Sequence, residues 1–120
     1  MNASSNILFK EELSSWKKTI ENFFQKNALL KYRLSEIVDN NEDGSFLQMA
    51  EYFQNQLLLK DEKLKKLTKQ LQEISNRALA ENPTDENIRK HEKLRKDLCL
   101  FEKKYDGLSK EFNEKLMQNS

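Results

Sequence analysis

Residues 39–84 read "DNNEDGSFLQMAEYFQNQLLLKDEKLKKLTKQLQEISNRALAENPT". Two clusters of helix-breaking letters, "DNNEDGS" at 39–45 and "ENPT" at 81–84, enclose a stretch with neither Gly nor Pro. Within it Phe46, Ala50, Phe53, Leu57, Lys60, Leu64, Leu67, Leu71, Ile74 and Ala78 recur at alternating steps of four and three. That beat averages 3.5 residues, close to one helical turn, so these side chains fall on one stripe of a helix. A stripe of this kind has to be covered, and the two breaker clusters supply the folds that let the flanking chain cover it.

The same beat continues on both sides. Upstream it runs through Phe9, Leu13, Trp16, Ile20, Phe23, Asn27, Leu30, Leu34 and Ile37, and downstream through His91, Leu94, Leu98, Phe101, Tyr105, Leu108 and Phe112. The pattern predicts an all-α protein: three long antiparallel helices, about 6–39, 46–80 and 83–117, forming one coiled-coil-like bundle domain over 1–120. As a helix each would be roughly 50 Å long at 1.5 Å per residue. Composition agrees. Charged residues make up 34% of the chain, 21 basic against 20 acidic, with two Gly, one Pro and a single Val. Long helices laced with charge pairs have this make-up, and strands do not.

Local signals mark the ends. Asp and Asn favour turns, Gly44 offers positive φ, and Ser45 followed by Gln48 fits a capping box. Asn82 before Pro83 fits an N-cap and first turn, with Asp85 and Glu86 at the positive helix end. Gly107 falls at an outward position of the third ladder, so a continuous helix, locally frayed or bent, is expected there.

Short connections make consecutive helices antiparallel neighbours. Folding at the first turn brings position i near 84 − i, and folding at the second brings j near 164 − j. By this count Asn27, Lys60 and Tyr105, the polar exceptions of the ladders, share one layer. Phe23, Leu64 and Phe101 lie on one side of it, and Leu30, Phe53 and Phe112 on the other. A polar layer in an apolar seam costs stability unless it pairs, and it can set register and partner number. The alternative is that Lys60 snorkels outward and Tyr105 only packs.

The segment from Asp39 begins like a calcium loop. Asp39, Asn41 and Asp43 occupy loop positions 1, 3 and 5 and Gly44 position 6, which resembles an EF-hand. Position 12, where a bidentate carboxylate belongs, is Ala50, and Glu51 comes one residue late. Turn chemistry alone accounts for every letter, so the expected metal complement is none, with weak calcium binding at Asp39, Asn41 and Asp43 as the lesser alternative.

Other chemistry finds little footing. One Cys and one His, Cys99 and His91, cannot assemble a zinc site. No Gly-rich phosphate loop occurs, and a narrow bundle offers no convergent pocket, so neither enzyme activity nor a cofactor is expected. The basic runs 60–69 and 89–96 are interleaved with acids, as on a solvated helix face, which argues against nucleic acid. No apolar run is long enough to cross a bilayer. The lone cysteine and an N-terminus, "MNASSNILFKEEL", without a signal-like apolar core point to a cytoplasmic protein.

What remains are apolar residues off the seam: Phe24, Leu29 and Tyr32 in the first helix, Tyr52, Leu58 and Leu59 in the second. The register brings the two sets side by side, Leu59 beside Phe24 and Tyr52 beside Tyr32. A contiguous exposed apolar patch marks an interface; a wider bundle core would instead cover them. The stretch "NALLKYRLSEIVDNNEDGSFLQMAEYFQNQLLLKDE" (27–62) also resembles short bacterial coiled-coil proteins with no assigned activity. That resemblance implies helices and carries over no functional residues. The expected function is a structural or adaptor protein, self-associating or binding another helical protein. A small chaperone-like binder of partner helices is the alternative. Topology has a rival too, in which the first two helices dimerise into a four-helix core and the third packs outside or is swapped.

Overall fold

A computed structural model describes residues 3–40, 44–80 and 85–117, and side chains over most of these. Three α-helices follow one another: α1 Ala3–Asp39, α2 Gly44–Ala80 and α3 Asp85–Phe112, the last continued by a π-helical turn at Asn113–Met117. The chain is an all-α bundle, with α2 antiparallel to both neighbours. It is a rod of 62 × 18 × 18 Å. Its radius of gyration, 18.4 Å, exceeds the roughly 14 Å of a spherical domain of this length. A rod 18 Å wide has a core one side chain thick, and for that reason a single stripe per helix suffices to fill it.

Every ladder position whose side chain is described is buried or half-buried. Phe53, Leu57, Leu64, Leu67, Leu94 and Phe112 are wholly excluded from solvent. The predicted register is visible in two edge-to-face ring pairs, Phe23 with Phe101 at 5.1 Å and Phe53 with Phe112 at 5.4 Å between centroids. Each such pair adds about 0.5–1.5 kcal/mol beyond area burial. The backbone of α2 runs close to both neighbours, whereas α1 and α3 meet chiefly through long side chains.

The element boundaries differ from expectation at three places. α1 reaches back to Ala3. α2 opens at Gly44, so Ser45 already lies in its first turn, and neither glycine has positive φ. The helix can take in Gly44 because the first-turn N–H groups lack intrahelical partners in any case. α3 continues straight through the exposed Gly107, and the irregularity comes later, at Asn113–Met117. After Phe112 the heptad steps to Lys115, but the buried residue is Leu116, four along, and Lys115 lies outside, paired with Glu111. The expected cap Asn82–Pro83 lies outside the described residues.

Candidate functional site

The polar positions of the seam resolve into separate arrangements. Asn27 is fully buried and its Nδ2 donates to the Leu57 carbonyl and to Asp61 Oδ1, each at 2.8 Å. Lys31, one turn along α1, pairs with the other oxygen of Asp61. Asn27 thus meets Leu57, as the 84 − i register requires, and not Lys60, which lies nearly one turn further along α2. The Lys60 ammonium sits 5.7 Å from the centre of the Phe101 ring, on the α3 side. Its pKa is lowered by burial and secondarily by Lys104. Tyr105 packs against Phe23 and Phe101. Its hydroxyl has no hydrogen-bond partner among the described residues, and burial pushes its pKa up to about 12. The single layer of Asn27, Lys60 and Tyr105 is therefore divided among three helix–helix seams: Asn27 bonds across α1–α2, Lys60 lies against Phe101 across α2–α3, and Tyr105 packs on Phe23 across α1–α3.

A second polar cluster joins α1 to α3 near the other end of the rod. Arg95 donates from Nε and Nη2 to Glu12 Oε1, at 3.2 and 2.7 Å, and stands 6.0 Å above the Trp16 ring. The other Glu12 oxygen is 3.5 Å from His91 Nε2, and the buried imidazole lies on Trp16 with ring centres 4.6 Å apart. Burial lowers the His91 pKa, opposed by Glu12 and aided by Arg95. The third ladder placed His91 on the buried stripe, but the sequence reading did not foresee this clasp. The signal was available: composing the two reflections places each α1 residue opposite one some eighty positions later, and Glu12 and Arg95 are 83 apart.

The six off-seam apolar residues are not one patch. Phe24 is half-buried and packs against the core. Leu29, Tyr32, Tyr52, Leu58 and Leu59 are exposed. Leu58, with Leu47, Ala50 and Glu51, forms one wall of a groove of about 530 Å³ between α2 and α1, the other wall being Lys31, Leu34, Ser35, Val38 and Asp39. Leu59 lies in a different groove, between α2 and α3, with Leu100, Phe101 and Lys104. Consecutive helical residues are 100° apart, so Leu58 and Leu59 straddle the outer ridge of α2 and face opposite neighbours. Leu59 accordingly has Leu100 for a neighbour in its groove, where Phe24 was expected.

Of the calcium-loop residues, Asp39 is the exposed last residue of α1, while Asn41 and Asp43 lie outside the described residues. Among the described residues no group of three or more His, Cys, Asp or Glu could hold a metal ion. Cys99 is exposed. No described helix is long and apolar enough to cross a membrane. Comparison with family models, curated proteins and solved structures returns no match for the chain.

Proposed function

We propose that this protein is a non-enzymatic, coiled-coil-like scaffold or adaptor, and that it self-associates through the open α1–α2 groove. The observation that carries this reading is the exposure of Leu47 and Leu58 in that groove, although the core between the helices is already filled. Half-buried Val38 and buried Leu34 extend the apolar floor, and Leu29, Tyr32 and Tyr52 add exposed apolar area on the same two helices. Apolar surface held open on a rigid rod is suited to receiving another helix ridge into its groove. A cytoplasmic setting suits the single exposed thiol.

Sedimentation equilibrium over a range of concentrations tests this. The wild-type chain is expected to form a dimer or larger species, and Leu58→Asp to give a monomer with its circular dichroism unchanged. A wild-type chain that stays monomeric, or a Leu58→Asp chain that stays assembled, would remove the groove as the self-association surface.

A further inference from the structure

The α2–α3 groove differs from its α1–α2 counterpart in charge. Leu59 and Leu100, 56% and 50% exposed, form its apolar lips, and Phe101 lies at its base. Lys60, Lys63 and Lys104 surround them, against one carboxylate, Asp97, which accepts a hydrogen bond from Gln70 of α2. No described carboxylate forms an ion pair with any of the three lysines. Five cations elsewhere on this rod are matched: Lys31 by Asp61, Arg95 by Glu12, and Lys90, Lys110 and Lys115 by acids four residues away. Here Lys60 is half-buried over Phe101, and Lys104 adds a like charge beside it. The groove thus sets three cations around two exposed leucines against the single carboxylate of Asp97, with no ion pair to a described residue.

We propose that this groove docks an acidic amphipathic helix of a partner protein. Resting on the adaptor reading, this names the class of partner. The lining from Gln56 to Lys63 covers two turns of α2, the length over which a helix presents anchors at i, i+3 or i+4, and i+7. The partner's apolar residues pack between Leu59 and Leu100, and its Glu or Asp side chains reach Lys63 and Lys104 at the rims and relieve the like-charge contact with Lys60. Nucleic acid fits less well, because the lips are aliphatic and the three cations form no extended stripe.

The test is fluorescence anisotropy of the full chain with a labelled heptad peptide of Leu and Glu, its Leu and Lys counterpart, and a single-stranded oligonucleotide. The Leu/Glu peptide is expected to bind saturably and more weakly as salt rises. The exposed pair Lys63→Glu with Lys104→Glu should weaken it about tenfold or more, with helicity unchanged. Leu100→Asp should weaken it independently. Equal binding of the Leu/Lys peptide, oligonucleotide binding that displaces the Leu/Glu peptide, or no effect of the charge reversal would each overturn the proposal. Running the assay also on Leu58→Asp separates the two readings. Self-association without peptide binding refutes only this inference, whereas a wild-type chain that shows neither refutes the adaptor reading as well.

Discussion

At the scale of single residues, the bundle places its polar groups where their surroundings change their chemistry. His91 is the clearest case. It is buried against Trp16, and desolvation, the largest influence on it, outweighs the nearby Glu12 carboxylate and holds its pKa below the ordinary 6.5. A histidine with a depressed folded-state pKa binds its proton more readily when the chain is unfolded. Its neutral form therefore supports the fold above pH 6.5, and that support is lost as pH falls through the lower folded value. Urea unfolding at stepped pH should show stability declining below pH 6.5, and His91→Phe, which keeps a ring against Trp16, should flatten the decline over the same range. Trp16 is the single tryptophan of the chain, so its emission reports the clasp directly. The Glu12–Arg95 pair in that clasp is half open to solvent on the arginine side, and exposed pairs contribute only about 0–1 kcal/mol. The aromatic and imidazole packing is the firmer part of the junction. Asn27 illustrates the opposite bargain. Burying an amide costs stability, and two hydrogen bonds to α2 offset part of it. A leucine there would have no preference for Leu57 over a neighbouring turn, whereas the amide does.

At the scale of elements, α3 contains the most visible local compromise. Gly107 sits mid-helix and exposed, and a Cβ added there meets no atom within 4 Å. Its cost is purely conformational, since glycine loses more backbone freedom than alanine on becoming helical. Gly107→Ala should raise unfolding free energy by about 1 kcal/mol, read as a higher urea midpoint with unchanged slope. A destabilised variant would mean that the helix is bent at this point in solution. The π-helical turn at Asn113–Met117 continues the helix. In a regular α-helix Leu116 lies about 40° round from Phe112, nearer than Lys115, on which the heptad step falls. Within this turn Leu116 is completely buried and Lys115 exposed. The ridge of α2 shows how much one residue of helical rotation decides. Leu58 and Leu59 are adjacent in sequence, yet they serve grooves of different charge.

At the scale of the whole molecule, the shape follows from three long stripes, that of α3 the shortest. Each helix covers the others along its entire stripe, and nothing beyond that thickens the rod. Small-angle scattering of a dilute or Leu58→Asp sample should give a radius of gyration near the 18.4 Å of the Cα trace. A four-helix core built from two chains, with α3 displaced, would scatter with twice the mass and would break the Phe53–Phe112 and Glu12–Arg95 contacts made within one chain. Two open grooves of different lining flank α2, one shared with α1 and one with α3.

The heptad beat, interrupted at 39–45 and 81–84, was enough by itself to determine three antiparallel helices and most residues of the core up to Phe112. Period and turn chemistry are local properties, and a core one side chain thick leaves little else to decide. The tertiary structure alone decided which neighbour each polar or off-seam residue faces. Asn27 turned to α2 and Lys60 to α3, Leu58 and Leu59 parted, and Glu12 met Arg95 across the bundle. Such choices depend on the rotation of each helix about its axis, where a difference of 100° reassigns a side chain from one seam to the next, and a repeat that is only approximately seven cannot specify that angle.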